Sequence, residues 1–375
     1  MASNVKPLKL LLLIDSLGSG GAQRQLVNLA IGLKQRGHAV SVFIYYPEFD
    51  YFRNQLVAAK IPIIANPKKT RYELGVIRGI NRFVNSNEPD WIISFLETPS
   101  LYAAISKNFK SRPRLLISER SSNPNGKLSA TQKIKRQTYR FATHITTNSH
   151  FQLDILKSEL PWLKNKSSVI YNGIQHDFFE LSESTPRPPE DRLNLVALGK
   201  LCQQKNYQTL IDAMVHLKRT NRKVPIVHWI GKLFPEEQRR YQDKLSLLKS
   251  HQLDSLWQWH GEQSSVIPFL SKADALIQPS FYEGLSNSIC ESMAAARPVL
   301  ASNVCENPIL INNRGMLFNP NSSISIADCI ASFQAKTPNE KIEIGANCRE
   351  FAMTNFTQLA FVNAYDKILL EQSTR

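Results

Sequence analysis

Short, predominantly apolar runs alternate with longer stretches of helical periodicity, and the whole pattern occurs twice. The first set lies at residues 9–14, 39–44, 91–95, 115–118, 145–147 and 169–171, the second at 193–198, 226–230, 257–260, 275–278, 298–301 and 316–318. Between the first two runs, Leu26, Leu29, Ala30 and Leu33 fall at i, i+3, i+4 and i+7, an amphipathic helix over 22–36 that Gly37 stops. Strands that are apolar throughout and joined by helices are buried on both faces, as in a parallel sheet covered by helices. The expected fold class is α/β, with two doubly wound domains of similar size. At 375 residues the chain exceeds the ~100–200 of one ordinary domain. Residues 181–192, LSESTPRPPEDR, pack three prolines among polar residues and read as the linker. The domains expected are thus 1–180 and 193–360, followed by a terminal helix over about 361–375.

Charge is distributed unevenly between these halves. Residues 1–190 hold 26 basic and 14 acidic side chains, whereas 191–375 hold 20 and 17. The excess in the first half calls for an anionic partner: nucleic acid, a membrane surface or a phosphorylated substrate. Within 107–140 ten basic residues face only Glu119, and Lys133, Arg136 and Arg140 repeat at i, i+3 and i+7. A basic amphipathic helix of this kind suits an anionic membrane surface. Nucleic acid is disfavoured, because the stretch lacks regular aromatic interleaving and no reader motif is present. The five cysteines form no C-x-x-C pair and suit reduced thiols in the cytoplasm. The apolar run near the start is cut by Asp15, too short for a signal segment, and no run approaches the ~18 residues of a spanning helix. A soluble or peripheral protein at the inner face of a membrane is expected.

Three segments could carry chemistry. The turn Leu17-Gly18-Ser19-Gly20-Gly21-Ala22-Gln23-Arg24 lies between a strand and a helix, where glycines let backbone N–H groups approach an anion. It is neither a dinucleotide fingerprint, since Gln23 stands where the third glycine belongs, nor a Walker loop. The segment Gly199-Lys200-Leu201-Cys202-Gln203-Gln204-Lys205-Asn206 sets two lysines at the carboxyl end of a strand, where open α/β sheets bind ligands. The third segment, Pro279-Ser280-Phe281-Tyr282-Glu283-Gly284-Leu285-Ser286-Asn287-Ser288-Ile289-Cys290-Glu291, opens a helix flanked by two acids. Its exposed N–H groups, Leu285 to Ser288, are placed to meet an anion, and Gly284, Leu285, Ser286 and Asn287 are the expected donor contacts. Paired carboxylates also serve glycosidases, although hydrolysis needs no adjacent phosphate cradle.

With GKLCQQKN upstream, the E-x7-E spacing of Glu283 and Glu291 within EGLSNSICESMAAARPVLAS resembles that of retaining GT-B glycosyltransferases of family four. GSGGAQR and Tyr171-Asn172-Gly173-Ile174 match that family too, in order, so the resemblance spans about residues 10–320. It implies two Rossmann-like domains facing a cleft, with a nucleotide-sugar donor held mainly by the second and the terminal helix packed back on the first. By the same resemblance Glu291 binds the ribose hydroxyls, Glu283 lies near the donor sugar, and Lys205 neutralises the diphosphate. Lys200 stands where the family usually has Arg, and Gly20 and Gly21 close over the diphosphate. Where many members have His, this chain reads Ser118-Glu119-Arg120. That pattern is similar to the branch building bacterial surface polysaccharides and lipid-linked oligosaccharides. Glu119, Arg120 and Arg24 are accordingly candidate acceptor or sugar contacts.

No D-x-D occurs, so no cofactor or metal is expected, and the leaving diphosphate is met by Lys200, Lys205 and backbone N–H groups. The expected function is transfer, with retention, from a UDP-linked hexose or N-acetylhexosamine to a lipid-linked or polysaccharide acceptor. The alternatives are a sugar-nucleotide epimerase of the same fold, which needs no acceptor, and a non-enzymatic anion-binding protein.

Overall fold

The computed structural model describes residues 6–70, 73–107, 112–120, 127–181 and 192–373. The expected linker lies outside the described residues except for its ends, Leu181 and Arg192, as do Lys110, Ser121 and Ser122. The chain divides into one unit of Met1–Gly173 with Gln358–Arg375, and a second of Ile174–Thr357. The division falls before the proline-rich segment because the residues after Gly173 are built into the second unit. Ile174 N–H donates to the Phe356 carbonyl at 2.7 Å, Phe178 and Phe179 are buried, and Arg349 donates to the Leu181 carbonyl at 2.9 Å.

The first unit contains β1 (Lys9–Leu13), β2 (Ala39–Ile44), β3 (Ile63–Ala65), β4 (Trp91–Phe95), β5 (Arg114–Glu119), β6 (His144–Thr147) and β7 (Ser167–Val169). They form one parallel sheet in the order β3-β2-β1-β4-β5-β6-β7. The short β3 has no counterpart in the apolar pattern: it is three residues long and none of them is buried. The leucine run of β1 serves both faces. Leu10 and Leu12 pack with Leu26, Leu29 and Leu33 of the helix Gly21–Gln35 and with Phe361, Val362, Tyr365 and Leu369 of the helix Gln358–Ser373. Leu11 and Leu13 join Phe43, Tyr45, Ile92 and Ile117 on the other face. This is why the strand reads as continuously apolar rather than alternating.

The second unit contains β8 (Asn194–Leu198), β9 (Ile226–Ile230), β10 (Trp257–Trp259), β11 (Ala275–Gln278), β12 (Val299–Ser302) and β13 (Gly315–Phe318). Their order is β10-β9-β8-β11-β12-β13, again parallel. In each sheet the order reverses beside the first strand, between β1 and β4 and between β8 and β11. The carboxyl ends of strands at such a reversal form the crevice where open α/β sheets bind ligands.

Candidate active site

The loops leaving β8 and β11 meet at the reversal in the second unit, held there by side chains that the chain pattern gives little hint of. Asn206 takes the left-handed conformation (φ 55°) and its amide donates to the carbonyls of Pro279 (2.9 Å) and Pro320 (2.8 Å). Gln204 accepts at its carbonyl from Phe281 N–H (2.9 Å) and donates from its side chain to the Tyr282 carbonyl (3.0 Å). These four bonds carry Lys205 to Glu283: Lys205 Nζ donates to Glu283 Oε1 at 2.6 Å, with side chains only 19% and 9% exposed.

Gln278, the last residue of β11, completes the cluster. Its amide donates to Glu283 Oε1 (3.3 Å) and Ser286 Oγ (2.6 Å). Ser286 in turn caps the helix Asn287–Ala294, its hydroxyl accepting from Ile289 N–H. A polar residue closing a fully buried strand was the available signal for Gln278. Glu283 N–H also donates to Cys305 Sγ at 3.5 Å, and burial pushes that thiol up, keeping it neutral. Glu291 sits half-buried on the same helix, whose first turn starts beside Gly284 and Leu285. Lys200 is exposed, its ammonium 5.1 Å from the Phe234 ring, and no contact among the described residues joins it to Glu283. The result is a largely buried cation–carboxylate pair beside the positive end of a helix, able to meet an anion and a hydroxyl-rich ligand together.

Two models of known families match the chain. The Glycosyltransferase Family 4 model covers residues 19–178 and the Glycosyl transferases group 1 model covers 192–335. The chain belongs to the group 1 glycosyltransferases. Its fold is that of GT-B members: it superposes on HepE of Anabaena, solved with UDP, at a TM-score of 0.82 and 19% identity, covering 96% of this chain and 99% of that one. An uncharacterized 41.2 kDa protein of the cps region of Klebsiella pneumoniae is 24% identical over 212 residues, a match spanning only 55% of either chain. The N-acetylgalactosamine-N,N'-diacetylbacillosaminyl-diphospho-undecaprenol 4-alpha-N-acetylgalactosaminyltransferase of Campylobacter jejuni is 23% identical over 316 residues, 78% of this chain and 80% of that one.

In this group 1 glycosyltransferase the glycine turn of the first unit starts the helix Gly21–Gln35 with no side-chain cap, leaving Gly20 and Gly21 exposed. Gln23 folds back so closely that a Cβ on Gly20 would lie 2.2 Å from its Oε1, while its amide donates to Asp15 Oδ1 at 2.9 Å. Arg24 is half-buried on the first turn. Arg120 is half-buried, its guanidinium 4.4 Å from the Phe95 ring and donating to Ser118 Oγ (3.0 Å), Tyr365 (3.2 Å) and Asn172.

Two expectations need correction. Glu119 is fully buried, its Oε2 accepting from Arg136 Nε (3.1 Å) and Tyr139 (2.7 Å), so it presents no surface for the expected sugar or acceptor contact. Arg136 is fully buried too, paired with Glu119 and Glu97, and cannot lie on a membrane face. The helix also stops at Gln137 and continues as a 3-10 turn, Thr138–Phe141, so Lys133 and Arg140 do not continue one α-helical face. The i, i+3, i+7 spacing misled because a buried acid on β5 claims the middle cation. Lys133 pairs with Glu159 at 2.5 Å, and the Arg140 guanidinium lies 5.4 Å from the Trp162 ring.

Proposed function

We propose that this glycosyltransferase moves a sugar from a nucleotide-diphosphate donor, a UDP-linked hexose or N-acetylhexosamine, to a lipid-linked or polysaccharide acceptor, with retention and without a metal. The observation that carries the reading is the Lys205–Glu283 pair at the β8/β11 reversal, beside the N-terminus of Asn287–Ala294. As the sugar–phosphate bond breaks, negative charge grows on the leaving diphosphate. Lys205, with Lys200 and the first N–H groups of that helix, meets it with preorganised positive charge. Glu283 holds Lys205 in position and lies where a donor sugar hydroxyl can donate to it. Glu291 takes the ribose hydroxyls. The acceptor hydroxyl attacks on the face the phosphate leaves, and a phosphate oxygen takes its proton. The anomeric configuration is thereby kept without a separate basic side chain.

An acceptor bearing a lipid diphosphate is supported by the Campylobacter relative, whose name gives a diphospho-undecaprenol substrate, and by the basic excess of residues 1–190. No helix of the described residues is long and apolar enough to cross a membrane, and a peripheral position at the inner membrane face suits such an acceptor.

The test is nucleotide release across a panel of UDP- and GDP-sugars, with and without lipid-linked acceptor and with and without EDTA. Release should require one donor and the acceptor and persist in EDTA. Lys205→Ala should lower kcat by roughly 10²–10³-fold. Donor turnover without acceptor would point to epimerase chemistry, and loss in EDTA would overturn the metal-free mechanism.

A further inference from the structure

Lys68 stands just past the carboxyl end of β3, and its ammonium lies over three tyrosine rings. The distances to the ring centroids are 5.1 Å for Tyr45, 5.2 Å for Tyr102 and 5.6 Å for Tyr46. Lys68 N–H donates to the Tyr45 carbonyl at 2.9 Å, which fixes the root of the side chain. The rings meet edge to face, Tyr45 with Tyr46 at 4.9 Å and with Tyr102 at 5.8 Å. Tyr45 and Tyr46 follow β2, and Tyr102 lies on the helix Glu97–Lys107 that follows β4. The cage therefore joins the carboxyl ends of β2, β3 and β4, around the sheet reversal of the first unit. It also shares a frame with the glycine turn. Both Tyr45 and Tyr46 N–H donate to the Asp15 carbonyl (3.0 and 2.8 Å), and the Asp15 side chain holds Gln23.

Ring faces attract the ammonium through its charge and leave its N–H donors unused. Among the described residues no carboxylate or carbonyl lies within hydrogen-bond distance of that ammonium. Burial, and then the Asp15 charge, push the Tyr45 hydroxyl up, so no phenolate neutralises the cation. Glu73, whose charge reaches Lys68, has its Oε2 engaged by the N–H groups of Lys69 and Thr70. A positioned cation with free donors at the ligand end of a sheet is suited to a phosphate.

We propose that Lys68 anchors the acceptor: its caged ammonium binds the phosphate of a lipid-linked acceptor in the first unit. This rests on the proposed transfer to such an acceptor. A lipid source is favoured over a free phosphate by Phe49 and Tyr51, 57% and 70% exposed, in the loop that leaves the cage at Tyr46. Large apolar side chains held in water suit an acyl or prenyl surface.

The test compares the full chain with Lys68→Ala and Lys68→Arg in acceptor kinetics, using one glycan on a polyprenyl diphosphate, on a lipid-free diphosphate and on a phosphate-free handle. Lys68→Ala should raise KM for both diphosphate acceptors about tenfold, with kcat and donor affinity little changed. Lys68→Arg should restore most of it, and KM for the phosphate-free acceptor should not move. Phe49→Ser with Tyr51→Ser should raise KM for the lipid form alone. A KM shift on the phosphate-free acceptor, or none on any, overturns the anchor. An equal effect of the loop variants on both diphosphate forms overturns the lipid source. Sedimentation with phosphatidylcholine vesicles, with and without polyprenyl diphosphate, reads the anchor independently of transfer. Lys68→Ala should lose the diphosphate-dependent binding, and unchanged binding overturns the anchor. Wild-type protein that binds these vesicles but transfers no sugar would overturn the proposed function and leave the anchor standing.

Discussion

Glu119 and Arg136 meet in the interior of the first unit with neither side chain exposed. Burial works against the Arg136 charge, yet Glu119, Tyr139 and Glu97 together hold its protonated form still more firmly than usual. Burial and the Glu119 charge push the Tyr139 hydroxyl far up, so it stays a donor to the carboxylate. Such a pair contributes modest net stability, but removing one partner strands a buried charge at a cost of about 3–5 kcal/mol. Glu119→Ala is therefore expected to lower urea-unfolding stability by that amount, and Glu119→Leu combined with Arg136→Met to recover much of it. If Glu119→Ala instead abolishes transfer at unchanged stability, the residue belongs to the reaction after all. In the sequence Glu119 stands out as a charge ending an apolar strand, and Arg136 as the middle member of a basic helical repeat. The sequence could not reveal that each is the other's partner, because seventeen positions separate them and only the placing of the helix Ala130–Gln137 beside the end of β5 joins them.

At the scale of elements, the site depends on how closely the loop after β9 passes the loop after β8. Gly231 has φ +148°, and a Cβ there would lie 2.1 Å from the Gly199 carbonyl oxygen, a backbone atom that cannot swing aside. Gly199 opens the segment that carries Lys200 and Lys205. Gly261 offers a control: φ is +66°, but nothing lies within 4 Å of its Cβ position. Gly261→Ala should cost only the left-handed backbone penalty of roughly 1–2 kcal/mol and leave donor KM unchanged. Gly231→Ala should displace the lysine loop, raising donor KM and lowering the melting temperature together. Equal effects of the two substitutions would show that the contact with Gly199 is unimportant. Most elements were legible in advance because their apolar runs are long and bounded: β2, β4, β9 and β11 fall where the pattern puts them. The misses have separate causes. β3 has only half-buried or exposed side chains, and the basic helix gives way to a 3-10 turn at Thr138 with no glycine or proline in its sequence to mark the change, while its Arg136 turns inward to Glu119 of β5. Likewise Glu283 and Lys205 stood out as charges near glycines, whereas Gln278, Gln204 and Asn206, which bring them together, are ordinary polar residues until the loops are folded.

For the whole molecule, the chain order and the unit order differ, since the helix Gln358–Ser373 follows the second unit but belongs to the first. It supplies Phe361, Val362, Tyr365 and Leu369 to the core around β1, and Gly32 lets it approach so closely that a Cβ there would meet Val362 at 2.4 Å. Asp366 is buried against His38 (2.9 Å) and Arg36 (2.8 Å), and the Tyr365 hydroxyl joins Ser118 (2.9 Å) and Arg120. Large-to-small changes at such positions cost about 2–5 kcal/mol each, so losing four at once costs roughly 8–20 kcal/mol, comparable to or greater than the ~5–15 kcal/mol that holds a domain together. Truncation after Thr357 is thus expected to unfold the first unit alone. The second unit keeps every strand of its own sheet and its own core. Hydrogen exchange should show β1 to β7 losing protection while β8 to β13 retain it, and binding of the proposed nucleotide-sugar donor should survive where the second unit alone holds it. Collapse of both units together would mean that the second depends on the first for its stability. Protection retained in β1 would mean that the terminal helix is dispensable to the core it appends.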